Sequence, residues 1–368
     1  MLLLPEAAGP HDPVRVTPAR PTGSVRRTSS IDTSRPDGIR GDLVMVARAR
    51  DLLTGAAATP TVVGEAELRL RLDGASRQIR SIASSPNLSG LESLVGSSVG
   101  PGFRARLNDA LPGEQDSGSL LYLLLDDLPG AALVSGYAMQ RAGLLDGPLV
   151  TDGAERSTTS TGGDDRPIRL TRAQLPSEDL CAGWAHDAVM MVTIRATGEV
   201  PTPMGPPAPT LESDDDPSGW HAMEPLGPHA MRRRRRLDLL ADEGRGSARR
   251  VDVHFRDSHM DPSGLETVVH EYSLVGSIDS AEGRVVELVA RADVLPWMEC
   301  PGALASAGRL AGMPLAELRP RVRRELTGSS SCTHLNDMLR SLGDVSALSA
   351  ELDGPAPPPS DRGGSRRG

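Results

Sequence analysis

Hydrophobic and polar positions alternate along two stretches of the last third of the chain, and a third apolar stretch follows them. Val251, Val253 and Phe255 are separated by Asp252 and His254, and Tyr272, Leu274, Gly276 and Ile278 form a second alternating row. After Gly283 comes a third stretch, Val285-Val286-Glu287-Leu288-Val289. A period of two puts one set of side chains on a common face, so these stretches predict an antiparallel meander. The pattern then becomes helical. Residues 303–311 are rich in small side chains, residues 314–326 open on a proline suited to a first turn, and residues 335–348 place apolar side chains at i, i+3, i+4 and i+7. The predicted unit is α+β, a small antiparallel sheet followed by about three helices.

The unit occurs twice. Thr61-Val62-Val63-Gly64-Glu65 returns as Thr267-Val268-Val269-His270-Glu271, an offset of 206 (268 − 62). The same offset aligns Arg26-Arg27 with Arg232-Arg233, Asp32 with Asp238, Gly38 with Gly244, Arg50-Asp51 with Arg256-Asp257, Leu68 with Leu274 and Asp73 with Asp279. Further on, Leu94-Val95-Gly96 pairs with Leu310-Ala311-Gly312 at an offset of 216 (312 − 96), which leaves a gap in the first copy opposite residues 296–305. Arg104 and Arg106 then pair with Arg319 and Arg321, and Leu121, Leu124, Leu125 and Leu128 with Leu335, Met338, Leu339 and Leu342. One register held this long predicts two duplicated units packed pseudo-symmetrically. A degenerate first copy spans residues 22–140, and a second copy spans residues 229–350.

Between and outside the copies the composition changes. Residues 1–21 and 351–368 read as disordered tails. Residues 141–228 read as linker and proline-rich strap: 152–167 flexible, 201–217 extended and acidic, with one short ordered element over 180–196, where Trp184, Val189, Met190, Met191 and Val192 need burial.

With 368 residues, 38% of them hydrophobic, the chain can fill more than one small core. No apolar run approaches the roughly 20 residues that span a bilayer, and no signal-peptide core is present. Three cysteines cannot all pair within the chain, so a cytoplasmic protein is expected. The net charge is −9 and all 40 basic residues are arginine, which gives no general attraction to nucleic acid. The dense basic run from Arg232 to Arg236 lacks interleaved aromatics and reads as a solvated strand edge.

Candidate chemistry comes from comparing the copies. The second carries His270, Cys300, Cys332 and His334; the first has Gly64 opposite His270, the gap across Cys300, and Gly118 and Leu120 opposite Cys332 and His334 at a local offset of 214 (332 − 118). Joint loss of a His/Cys/Cys/His set is expected when a metal site decays in one half. Free cysteines and strand-start histidines also occur simply as buried, hydrogen-bonded residues. Cys300 and Cys332 precede helical patterns, whose N-termini favour thiolates. Asp257, His259, Glu271 and Thr333 are expected in support. Because Arg50-Asp51 recurs as Arg256-Asp257, those two are expected to serve the shared fold. Cys181 is expected to be buried beside Trp184, and Trp220 and His221 to lie in exposed linker.

Two thiols and two imidazoles suit zinc or a [2Fe-2S] centre, and the leading reading is a metal-binding protein. A thiol enzyme, with Cys332 or Cys300 as nucleophile and His334 or His270 as base, is the second reading. An interaction module without metal, working with a protein or small-molecule partner, is the third. No Gly-rich phosphate loop, nucleophile elbow or His-Glu-x-x-His helix is present.

His270-Glu271-Tyr272, Glu299-Cys300-Pro301 and Cys332-Thr333-His334-Leu335 together resemble the bacterial family called domain of unknown function 2889, over about residues 232–348, with a degenerate version over 26–137. Ser331 stands where that family often has Gly. More distantly, the order of elements is similar to the NifU-type and IscU-type iron-sulfur scaffolds. The similarity runs through Ile278-Asp279 to Gly283-Arg284-Val285-Val286, then Cys300-Pro301-Gly302-Ala303-Leu304-Ala305-Ser306 and Leu310-Ala311-Gly312-Met313-Pro314-Leu315-Ala316-Glu317. That resemblance implies His270 at the place of a first cysteine ligand and Cys332 and His334 near a closing His-Cys pair. Met313 replaces the scaffold lysine, and the closing pair is reversed and split by Thr333.

Overall fold

The structure, a computed structural model, describes residues 2–55, 59–144, 177–241 and 247–354. The linker expected over 152–167 lies outside them, as does residue 355 onward of the second tail.

Eight antiparallel strands form one sheet. The strands are β1 (Ser24–Ser34), β2 (Leu43–Thr54), β3 (Pro60–Leu72), β4 (Ile79–Ser85), β5 (Met231–Ala241), β6 (Ala248–Met260), β7 (Glu266–Asp279) and β8 (Arg284–Val294), in the order β4-β3-β2-β1-β5-β6-β7-β8. Each predicted meander is therefore present, and the two meet through their first strands. β1 pairs with β5 from Ser24↔Leu240 to Thr33↔Met231. The registers on either side of this seam correspond: Arg27 faces Asp51 across β1/β2 as Arg233 faces Asp257 across β5/β6. The β-bulges correspond too, lying at Asp51/Leu52 in one half and Asp257/Ser258 in the other.

The run Arg232–Arg236 is not a solvated edge. It forms the centre of the sheet, and its five side chains are buried. Strand alternation sends Arg233 and Arg235 to one face, where they meet Asp337 and Asp127 on helices, and sends Arg232 and Arg234 to the other, where they meet Asp32 and Glu212. Buried guanidinium is tolerated because each is matched by carboxylate; unmatched, such a charge costs several kcal/mol.

Helices cover the first of these faces. They are α1 (Phe103–Ala110), α2 (Leu120–Val134), α3 (Gly136–Arg141), α4 (Val189–Thr197), α5 (Leu318–Glu325), α6 (Thr333–Ser341) and α7 (Val345–Asp353). Ser119 caps α2 by accepting from the Tyr122 backbone N–H. Leu121, Leu124, Leu125 and Leu128 of α2 pack with Leu68, Leu70 and Phe103 in one core; Leu335, Met338 and Leu339 of α6 pack with Val253, Phe255 and Tyr272 in another. The small-residue stretch expected as a helix forms 3-10 turns over Cys300–Leu310. Helices α2 and α3 run on as a stretch of 22 residues, Leu120–Arg141, apolar and long enough to cross a membrane, but most of it is buried within the protein.

Two largely extended segments hold to the sheet, reaching its opposite face at Val14 and along the strap, while the 3-10 turn Pro5–Ala7 places Ala7 in the helix-side core. Residues 2–21 have the composition of a free tail, yet they are held by hydrogen bonds: Thr202 N–H donates to Leu2 O at 2.8 Å, Asp12 N–H to Asp293 O at 3.0 Å, and Val14 N–H to the Glu271 carboxylate at 3.0 Å. The proline-dense strap runs beside the start of β7, accepting from Val268 N–H at Pro206 O and donating from Ala208 N–H to Glu266 O. Trp220 and His221, expected to be exposed, are buried by this strap. His221 lies 2.9 Å from the Thr28 hydroxyl and 2.7 Å from that of Ser30.

Candidate metal centre

Asp257 is the last residue of β6 before the bulge, and its register partner on β7 is His270. His334 enters from the first turn of α6. One ligand atom from each of Asp257, His270 and His334 lies within 4.8 Å of the other two. The two imidazoles stack at 3.7 Å between centroids and 19° between planes, and His334 Nε2 stands 3.7 Å from Asp257 Oδ2. Among the described residues, His270 Nδ1 and His334 Nε2 are buried without a hydrogen-bond partner. Burial lowers the pKa of both rings, with His334 adding to the effect on His270, and Arg233 helps bring His334 down to about 3. Both rings are therefore neutral at pH 7 and carry free nitrogen lone pairs.

The carboxylate is anchored from below. Arg233 donates to both oxygens of Asp257 at 2.9 Å and to Asp337 at 2.7 Å. Burial opposes ionisation of Asp337, but Arg340, Arg233 and Arg104 outweigh it and hold that carboxylate low. A carboxyl group clamped by arginine and two neutral imidazoles thus share one space. This is a donor set for a divalent cation.

Of the four expected ligands, His270 and His334 come together. Cys332 occupies the N-cap position of α6, with its Sγ 3.7 Å from His334 Nδ1 and the Tyr272 hydroxyl beside it. Cys300 packs on Gly183, where a Cβ would lie 2.7 Å from its sulfur. Neither cysteine belongs to the group of three. All three cysteines are free. Burial raises the thiol pKa of Cys300, and the neighbouring Cys332 and Cys181 add to it; burial also raises Cys332. Desolvation therefore overrides the thiolate-favouring effect expected of helix starts, and Cys300 begins 3-10 turns rather than an α-helix.

The four expected supporting residues divide. Asp257 is in the group itself. Thr333 places its hydroxyl 3.4 Å from His334 Nδ1. Glu271 faces the opposite side of the sheet, where it accepts from Arg256 at 2.7 Å and lies 2.6 Å from His254 Nε2. His259 packs edge-on against Tyr137 at 5.3 Å, away from the centre. Sequence reasoning missed Arg233, hidden in the basic run, and Cys181, whose neighbour Ala182 donates to Ser331 O at 2.9 Å and so lies beside Cys332.

Residues 231–348 match the model of a family described as a protein of unknown function (DUF2889). That segment contains every residue of the centre. No curated protein and no solved structure matches the chain.

Proposed function

We propose that the protein binds a divalent metal ion, zinc by the chemistry of its donors, through Asp257, His270 and His334, with the Cys332 sulfur on the far side of the His334 ring orienting it through Nδ1. The observation that carries this reading is the pair of buried ring nitrogens without partners, facing a carboxylate within 4.8 Å. A buried polar atom left unpaired costs about 1–3 kcal/mol. A metal bond at each nitrogen removes that cost. A two-nitrogen, one-oxygen set with a single adjacent thiol favours zinc over an iron-sulfur cluster, which takes most of its ligands from thiolates. The cytoplasmic setting expected from the free cysteines belongs to the same reading.

We also read the first half as a degenerate copy. Support comes from the matching registers and from bulges that fall 206 residues apart, at Asp51/Leu52 and Asp257/Ser258. The resemblance to NifU-type and IscU-type scaffolds rests on the quoted residues alone.

The test is elemental analysis of protein loaded with one equivalent of zinc and desalted, beside His270→Ala, His334→Ala and Asp257→Ala. Stoichiometric zinc lost in all three supports the centre. Wild-type protein without zinc, or variants that retain it, would end the proposal.

One observation favours the thiol-enzyme reading. Cys332, His334 and Asp257 stand in line, with Sγ to Nδ1 and Nε2 to Oδ2 both 3.7 Å, which is the order of nucleophile, base and orienting acid. The buried, protonated state of Cys332 speaks against it. Iodoacetamide labelling of metal-free protein separates the two: a thiol enzyme alkylates at Cys332 rapidly at pH 7, and a metal site does not.

A further inference from the structure

At the place in the first half that corresponds to the His/His/Asp centre, the protein has a cavity of about 260 Å³. Its floor repeats the floor of that centre. Arg27 donates to both oxygens of Asp51, at 2.7 and 2.6 Å, as Arg233 does to Asp257. What differs is the filling. At the offset of 206, Gly64 stands for His270 and Ala66 for Tyr272; at the local offset of 214, Gly118 stands for Cys332 and Leu120 for His334. Imidazole, phenol and thiol are missing from one place, and all four of these smaller or apolar residues line the cavity together with Arg27 and Asp51.

Gly64 forms one wall of this cavity, and Leu120 and Ala347 have moved into part of the space that the side chains opposite Gly64 and Gly118 would need. A Cβ on Gly64 would point at Leu120 Cδ1, 3.3 Å away, and at Asp51 Oδ2, 3.8 Å away. A group entering there meets a carboxylate acceptor on one side and an isobutyl face on the other. In the second half the corresponding slot holds the His270 ring, stacked flat on the residue that Leu120 replaces. The chain thus displays, in its own second half, the shape and polarity this floor accommodates. Each Asp51 oxygen uses one lone pair on Arg27 and keeps another for an N–H donor.

We propose that this first-half cavity binds a small planar nitrogen heterocycle of the imidazole class, donating a ring N–H to Asp51 and laying a face on Leu120. The proposal rests on the correspondence of the two halves and is independent of any metal at His270.

Imidazole is the probe, titrated into the full-length protein in the presence of a chelator and followed by amide resonances. Saturable shifts at Gly64, Gly118, Ser119 and Leu120 in the wild type support the site. Ala66→Tyr, which restores the phenol of the second half, should abolish them while the far-ultraviolet dichroism stays that of the wild type. Gly64→Ala is the milder check and should weaken binding several-fold, since its methyl crowds Leu120. Absence of saturation at those amides, shifts confined to residues around His270 and His334, or wild-type binding in both variants would overturn the proposal. Because chelator is present throughout, failure of the metal reading leaves this result untouched.

Discussion

Asp257 accepts from Nε and Nη2 of Arg233 at the same distance, 2.9 Å, so its carboxylate is locked in the plane of the guanidinium. The clamp fixes the acid below the stacked rings of His270 and His334. It also makes the centre depend on an arginine that touches neither ring's free nitrogen.

Replacing Arg233 by Leu should therefore be among the most damaging changes in the chain. It leaves Asp257 and Asp337 buried without their shared cation, and breaking such a pair costs about 3–5 kcal/mol. Urea unfolding of the variant reads this directly. A loss below about 1 kcal/mol, the range of an exposed pair, would mean that the network is not needed for stability.

The two cysteines flanking the centre should separate in a zinc titration. Cys332→Ser should weaken binding only a few-fold, because its sulfur lies 3.7 Å from His334 Nδ1, the nitrogen turned away from Asp257, and so orients the ring without reaching the ion. Cys300→Ser should bind as the wild type does, since that thiol packs on Gly183. The reverse order would move the centre toward Cys300.

His221 should make the protein acid-sensitive. Burial, aided by Arg50 and Arg234, lowers its pKa to about 3, so the folded protein keeps it neutral while the unfolded chain protonates it near 6.5. The unfolded state then binds the extra proton, and stability falls as pH drops from 6.5 toward 3. At about 1.4 kcal/mol per pH unit the loss reaches about 2 kcal/mol by pH 5. His259, lowered to about 4 by burial and the nearby Arg141, acts with the same sign. Comparison with His221→Gln isolates the His221 share, and equal pH slopes for the variant and the wild type would refute it.

Across the seam, Arg26 pairs with Asp238 as Arg232 pairs with Asp32, each salt bridge spanning the two halves at 2.6 Å. The Arg26 side chain is fully buried, whereas Asp32 retains some exposure. A double-mutant cycle on Arg26→Met and Asp238→Asn should give a coupling of about 1–3 kcal/mol, larger than the same cycle on Arg232 and Asp32. Equal couplings would show that burial does not set the strength of these pairs.

Much of the sheet was legible because strand alternation and the repeated register are local properties. Val251 to Phe255 and Tyr272 to Ile278 lie in β6 and β7 as read. The role of the arginine run was not legible. Its burial depends on carboxylates far away in sequence, Asp127, Glu212 and Asp337, and nothing in the run itself announces them. His270 and His334 stand out in the sequence because Gly64 and Leu120 lie opposite them when the two halves are aligned. Asp257 reads from sequence as a supporting residue and, because Asp51 stands 206 positions before it, as part of the fold; that it joins the group itself shows only in three dimensions. Residues 2–21 look like a tail because extended segments held by backbone and carboxylate hydrogen bonds need no apolar periodicity.

The pairing of β1 with β5 also dictates an order of events during synthesis. Arg26 and Asp238 are 212 positions apart, so the first half can complete its meander long before the strand that finishes the sheet exists. Until then β1 is a bare edge. Its sequence, Ser24-Val25-Arg26-Arg27-Thr28-Ser29-Ser30, is charged and hydroxylated, which is how a waiting edge avoids capturing a stranger's strand. The same polarity suits β5, which brings Arg232 to Asp32 and Asp238 to Arg26. Closing a loop of that length adds only a logarithmic entropy term, so delay rather than instability is what the architecture imposes on its maker.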